Sequence, residues 1–482
     1  MDRISALARG VIMTSAPGFG GYILFPPENA PLEKIRALTD QLRASPGVDE
    51  HLPPIIAIDQ EGGRVMRLQD GVEPMPSMMA LGAAGDLELA GRAGEQIAFD
   101  LRRAGCTLDF APVLDLATNA NNTVIGTRSF GADPQQVAAL GLAFARGLQR
   151  GGILPCYKHF PGHGPTEVDS HEALPTIDAD EASLRARDLI PFVAVAAEAP
   201  TIMSAHILAR AFDPERPSTL SRRIATELLR RELGFRGAFV TDCLEMQAVA
   251  ARGADRNAVD ALAAGADLLL FSHDSELAAA AANAIEAAVN DGRVSRERLA
   301  EAHGRVLNLR EAGAPPLPLD AFPPHPGIGR EIARRAMTLV RGIAHADPLA
   351  DIAVSFGSER PTLEREAAVL QELCMPIDPT DERIEAMLVT VERSQRRPIA
   401  LTRRAHLHPG QANGANRIVE RFPDALVISL LEPFDLPLFP NVRHLIAAYG
   451  DDPASIGGLA DVLFGGSMPT GQLPVSLPPV SS

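Results

Sequence analysis

The chain has no tryptophan and only three tyrosines in 482 residues, so flat amphipathic rings for stacking a ligand are scarce. It has four cysteines, Cys106, Cys156, Cys243 and Cys374, with no CxxC pair among them. That spacing offers neither a disulfide framework nor a zinc knuckle and points to a reducing compartment. Positive charge is in deficit: 45 Lys and Arg stand against 61 Asp and Glu, a formal net charge of −16. Nucleic acid and anionic membrane are poor partners for such a chain, because phosphate binding needs a basic surface. No apolar run approaches the roughly 18 residues that a membrane-spanning helix needs. The opening residues, Met1-Asp2-Arg3-Ile4-Ser5, start no basic segment followed by an apolar one, so no signal peptide is expected and the location is expected to be cytoplasmic. No internal repeat or low-complexity tract is apparent.

What is present is ordinary for a globular enzyme: 46% hydrophobic and 22% charged residues, in a chain long enough for two domains. Short apolar runs alternate with Ala/Leu/Arg/Glu-rich stretches from residue 8 to 271. The runs are Ala8–Met13 (the weakest), Gly21–Phe25, Pro54–Asp59, Thr107–Val113, Ile153–Tyr157, Thr201–Ala205, Ala238–Asp242 and Asp267–Phe271. Eight such runs separated mostly by helices predict an α/β fold, a (β/α)8 TIM-type barrel. An open doubly wound sheet is the alternative, but no GxGxxG opens a helix after the first strand. A helix at Ser295–Ala312 closes the barrel, and proline-rich sequence follows it. The predicted division is a catalytic barrel over 1–312, a linker over 313–330 and a smaller α/β domain over 331–482. In that domain a helix is expected at Arg330–Gly342 and strands at Asp351–Phe356, Met387–Val391, Pro398–Thr402, Ala425–Leu430 and His444–Tyr449.

Several runs end in polar residues: Asp59-Gln60-Glu61, Asp115, Lys158-His159, His206 and Asp242. One acid at a strand end is usually a helix cap or a solvated group. Polar groups at the ends of five strands together match what a barrel active site requires. The densest stretch runs from Lys158 to His171 and holds three histidines, a lysine and two acids. Gly162, Gly164 and two prolines exclude a regular helix there, so a loop at a strand end is expected.

That stretch has two chemical readings. His159, His163, His171 and Asp169 could ligate a metal, although Pro161 and Gly162 break the helical spacing that pairs such ligands. Alternatively Asp169-Ser170-His171 is a dyad in which the carboxylate fixes one imidazole nitrogen and the other exchanges protons with substrate. Asp242, at the end of Phe239-Val240-Thr241, has the setting of a nucleophile or base; its plain reading is an N-cap for a helix starting near Leu244. Arg64, Arg67, Arg128 and Lys158 add donors suited to a hydroxyl-rich ligand. The lack of tryptophan removes the commonest platform for stacking a sugar.

Five segments taken together resemble glycoside hydrolase family 3. They are I-D-Q-E-G-G-R-V at 58–65, F-A-P-V-L-D at 110–115, V-I-G-T-R-S-F-G at 124–131, K-H-F-P-G-H-G followed by D-S-H at 158–171, and V-T-D-C-L-E-M at 240–246. The D-S-H element resembles the β-N-acetylglucosaminidase branch, and Gly465–Val475 is similar to the end of that family's C-terminal α/β sandwich domain. The resemblance implies a retaining exo-β-N-acetylglucosaminidase that needs no cofactor and no metal. Asp242 would be the nucleophile, and His171 the acid/base assisted by Asp169. Asp59, Arg67, Arg128, Lys158 and His159 would bind the sugar. A neutral histidine repels an anionic acceptor less than a carboxylate does, so phosphorolysis is a second implied activity, with β-glucosidase activity a third. Outside the resemblance stand a metal-dependent barrel hydrolase and a non-catalytic sugar-binding protein. Two features depart from the family pattern. Cys243 stands where S-D-D-L-x-M would place an acid, and the first barrel strand follows a short leader.

Overall fold

The computed structural model describes residues 10–13, 19–27, 29–44, 52–166, 174–250, 252–313, 318, 323–363 and 365–477. Eight strands close into a barrel: β1 Gly10–Met13, β2 Phe19–Ile23, β3 Ile55–Ile58, β4 Leu108–Asp109, β5 Leu154–Phe160, β6 Thr201–Ser204, β7 Ala238–Cys243 and β8 Leu268–Phe271. They follow one another in sequence order around the barrel, and β1 meets β8 to close it. Strands β2 to β8 are parallel neighbours. β1 runs antiparallel to both β2 and β8. Only residues 14–18 separate β1 from β2. A parallel connection needs a crossover of a dozen residues or more, so so short a link forces the chain to reverse. The barrel read from the sequence is therefore present, with a reversed first strand.

Long helices such as Leu87–Ala104 and Pro134–Arg150 shield the barrel. Asp86 and Asp133 cap them, each side chain accepting from two backbone N–H groups of the first turn. β3 and β8 are buried along their whole length, which is why their sequences read as unbroken apolar runs. β4 is only two residues long where seven were expected; beyond it Val113 makes a single bridge to Lys158. β5 continues to Phe160, so Lys158 and His159 sit in the strand, and the loop begins at Pro161. The peptides Lys158–His159, Phe160–Pro161 and Ala111–Pro112 are cis.

The C-terminal domain holds a six-stranded sheet of β9 Thr338–Arg341, β10 Asp351–Phe356, β11 Gln371–Met375, β12 Arg397–Thr402, β13 Leu426–Ser429 and β14 His444–Ala447. Its order is β9-β14-β13-β12-β10-β11, and only β9 is antiparallel to its neighbour. Two expectations fail here. Met387–Val391 lies in the helix Asp381–Ser394, whose buried residues Ile384, Met387, Leu388 and Val391 follow a helical stripe. The five-residue β-branched run suggested a strand, but Thr380 caps the segment and the flanking spacing decides it. Arg330–Gly342 is a helix only over Ile328–Ala336, after which β9 begins. That helix packs between Met78–Ala84 of the barrel and Pro453–Leu463 of the second domain. Among the described residues no helix is long and apolar enough to cross a membrane.

Candidate active site

Because β2 to β8 are parallel, their C-terminal ends share one rim of the barrel. There a cavity of about 600 Å³ opens, large enough for a sugar unit and part of its neighbour. Six sequence-nominated residues line it: Asp59, Arg67, Arg128, Lys158, His159 and Asp242. Asp59 follows β3, Lys158 and His159 lie just before the end of β5, and Asp242 is the residue before the end of β7. Arg67 follows the small hairpin after β3, and Arg128 ends the 3-10 turn Gly126–Arg128. Asp169 and His171 lie outside the described residues, and Arg64 does not line the cavity but donates to the carbonyls of Thr123 and Val124.

Lys158 anchors the floor of the cavity. Its Nζ lies 2.8 Å from Asp59 Oδ1 and 2.6 Å from Glu61 Oε1, with the side chain 2% exposed. Burial alone would pull the ammonium down, but the two carboxylates hold it above the usual lysine range. Glu61 is equally enclosed and takes a two-point grip from Arg128, both contacts 2.8 Å. Burial opposes its charge, and Arg128 with Lys158 overrides that, holding the carboxyl far below the usual range. Lys158, Glu61 and Arg128 therefore stay charged through the neutral range.

Asp115 organises the other wall. Its Oδ2 accepts from His159 Nδ1 at 2.6 Å and its Oδ1 from the His163 backbone N–H at 2.6 Å. His159 is left with Nε2 for a ligand. His163 bonds Thr166 Oγ1 at 2.8 Å, and burial pushes its pKa down to about 4, so it is neutral at pH 7. Asn122 ties this turn to its neighbour, donating to the carbonyls of His163 and Gly164.

Asp242 emerges from β7 partly open to the cavity. Its Oδ1 accepts from the Cys243 N–H at 2.7 Å, and Ser204 Oγ accepts from its own N–H at 3.4 Å. No hydrogen bond to Oδ2 is made among the described residues. Burial raises this carboxyl, but His206, His159, the Cys243 amide and Lys158 outweigh it and hold it below the usual range. The N-cap reading does not apply, since the next helix starts only at Gln247. Cys243 donates its thiol to Glu245 at 3.4 Å, and burial pushes that thiol up to about 12. At the rim, Arg67 lies over the Phe25 ring at 5.4 Å and His273 stacks on it at 5.9 Å, an aromatic face made without tryptophan.

The sequence reading gave no role to Glu61, Asp115 or His206, although the first two stand inside motifs and His206 ends an apolar run. Asp115 and His159 are 44 residues apart, so their contact leaves no local signal. His206 packs behind β7, its Nε2 donating to the Cys243 carbonyl at 2.9 Å. Among the described residues no group of three His, Cys, Asp or Glu side chains is disposed to hold a metal.

A barrel whose strand ends converge carboxylates, a lysine, arginines and a histidine on one cavity is the architecture of a barrel enzyme. Residues 8–309 match the model described as the glycosyl hydrolase family 3 N terminal domain, and the chain belongs to glycoside hydrolase family 3. It is a glycoside hydrolase. A β-hexosaminidase of Chromobacterium violaceum is 39% identical over 293 residues, 56% of this chain and 80% of that protein. A Pseudomonas aeruginosa β-hexosaminidase is 38% identical over 270 residues, 55% of this chain and 79% of its own length. Both domains are matched by a family 3 β-N-acetylglucosaminidase from Paenibacillus sp. str. FPU-7, at 35% identity and TM-score 0.84, covering 94% of this chain and 92% of that one.

Proposed function

We propose that the protein is a retaining exo-β-N-acetylglucosaminidase that removes terminal β-linked N-acetylglucosamine from peptidoglycan fragments or chitooligosaccharides in the cytoplasm. The supporting observation is Asp242: one carboxylate oxygen held by a backbone N–H, the other open, the group kept ionised, and sugar-binding donors across the cavity. Asp242 Oδ2 attacks the anomeric carbon as the glycosidic bond breaks, and His171 gives its proton to the leaving oxygen. His171, oriented by Asp169, then takes a proton from water as that water attacks the same carbon. The Asp242 ester bond breaks and the sugar leaves with its original β configuration. Asp59, Arg67, Arg128, Lys158 and His159 bind the sugar hydroxyls and the N-acetyl group. The chain is divided for this purpose into barrel 1–312, linker 313–330 and α/β domain 331–482, the helix Ile328–Ala336 straddling the second boundary.

The test is an aryl-glycoside panel of β-N-acetylglucosaminide, β-glucoside and β-xyloside, with and without phosphate, the first product anomer being read by proton NMR. The N-acetylglucosaminide should be cleaved fastest, insensitive to chelators, releasing the β anomer first. Asp242→Ala should lower kcat by at least about a thousandfold while remaining folded. Full activity in that variant, or initial release of the α anomer, would refute the assignment.

A further inference from the structure

One wall of the cavity is irregular chain. Val124, Ile125 and Arg128 line it, and apart from the short turn Gly126–Arg128 the segment 119–128 has no regular structure to hold it. Backbone groups in such a segment need partners from elsewhere. Within the barrel, Asn122 Oδ1 accepts from the Ile125 N–H at 3.0 Å, and Arg64 donates to the carbonyls of Thr123 and Val124 at 2.6 and 2.5 Å.

Local backbone bonds such as Gly126 N–H to the Asn122 carbonyl add to these, and further partners come from the C-terminal domain. Glu432 Oε1 accepts from the Thr127 N–H at 3.0 Å across 305 residues of sequence. Arg404 grips the same carboxylate at both oxygens, 2.7 Å each, and reaches the Thr123 carbonyl at 3.4 Å. His406 Nε2 donates to the Ala120 carbonyl at 3.0 Å. Glu432 is 3% exposed, and Arg404 has φ +57°, a backbone region that side-chain-bearing residues seldom occupy unless surrounding contacts hold them. Gly126 completes the fit: its φ is +44°, and a Cβ there would overlap Glu432 Oε1. Burial disfavours the Glu432 charge, and Arg404 with Arg64 more than compensates.

We infer that the C-terminal domain builds part of the substrate site, with Glu432, clamped by Arg404, as the positioning residue that fixes the 123–128 wall and so presents Arg128 to the bound sugar. This rests on the reading of the cavity as the N-acetylglucosamine site. The second domain touches no reacting atom; it sets the place of a barrel residue that binds the sugar.

The test compares Glu432→Ala, Glu432→Gln and a control, Arg335→Ala. The control removes an interdomain ion pair to Asp86 (2.8 Å) that is not part of the cavity wall. Steady-state kinetics on an aryl β-N-acetylglucosaminide, calorimetric binding of N-acetylglucosamine and amide exchange at Thr127 are measured on the full chain. Glu432→Ala should raise KM and weaken N-acetylglucosamine binding by about tenfold, with kcat changed less than about threefold and Thr127 exchanging faster. Glu432→Gln keeps an oxygen for the Thr127 N–H and should recover most of the affinity, while Arg335→Ala should leave KM within about twofold. Unchanged KM and unchanged Thr127 exchange in folded Glu432→Ala would overturn the inference, as would an equal rise of KM in the control. If Glu432→Ala does not fold, Arg404→Ala, which removes the clamp on Glu432, decides: unchanged KM with unchanged Thr127 exchange in that folded variant counts against the inference. If the wild type cleaves no glycoside, the active-site reading fails, and Thr127 exchange still tests the brace.

Discussion

At the scale of single residues, the site works by fixing charge rather than by supplying many contacts. Asp115 shows this best. It is fully enclosed, and its two oxygens hold the His159 ring and the His163 backbone at 2.6 Å each. Burial raises its carboxyl, yet His159 and His163 more than offset that, so it is held below the usual range. A hydrogen bond to a charged group contributes about 1.5–3 kcal/mol, so Asp115→Asn should lower kcat/KM by roughly ten- to hundredfold. The variant's circular dichroism should match the wild type, which separates misplaced His159 from misfolding; an unchanged kcat/KM would mean that His159 needs no such orientation. Asp59, Lys158, His159 and Asp242 were legible in the sequence because each ends an apolar run. Asp115 was visible only as one more strand-end acid. Its partnership with His159, like that of Glu432 with Thr127, joins residues too distant in sequence to leave a pattern.

At the scale of elements, the parallel strands were legible because strands buried on both faces must be apolar throughout. The reversed β1 was not, since direction leaves no mark on composition and only the short link to β2 implies it. The strand expected at Met387–Val391 failed for a related reason: a short, mostly apolar run of five residues fits either period until its flanks are counted. Helix contacts are harder still to read. Gly94 of Leu87–Ala104 lies so close to Pro134–Arg150 that a Cβ would overlap the Phe144 carbonyl, and Gly147 meets Gly91 in the same way. In an exposed helix Gly→Ala gains up to about 1 kcal/mol. Here overpacking, about 1–3 kcal/mol at a buried contact, should prevail because the obstacle is backbone and cannot turn aside. Gly94→Ala is therefore expected to lower the urea midpoint while leaving kcat per folded molecule unchanged. A stabilised variant would mean that the two helices can separate without loss.

At the scale of the whole molecule, the two-domain plan could be read from the proline-rich stretch after Ala312, but not the brace across the domain boundary, which depends on how the folded domains meet. Stability is set globally as well, and His163 gives it a sign. The imidazole is 3% exposed, faces Asp115, His159 and Arg128, and has a pKa lowered from 6.5 to about 4. A depressed folded pKa means that the unfolded chain binds the extra proton first. The stability is thus complete above about pH 6.5 and is lost as pH falls towards 4. Between pH 7 and pH 5 that amounts to about 2 kcal/mol. Asp452 works in the opposite sense: burial raises its pKa to about 6, so its protonated form favours the fold in part of the same window. It caps a helix and stays partly open to solvent, which weakens its share, while Asp109, Asp188 and Asp435, whose carboxyls burial also raises, act in the same sense as Asp452. The His163 share is therefore read as a difference between two proteins in urea titrations at pH 7 and pH 5. His163→Asn keeps a polar group of similar reach and removes the titration, so its loss over that interval should be smaller by about 2 kcal/mol. An equal loss in both proteins would place the acid sensitivity elsewhere. Carboxylates held below their usual range, Glu61, Asp115 and Glu432 among them, should then add their own loss below about pH 4.5, in the wild type and the variant alike.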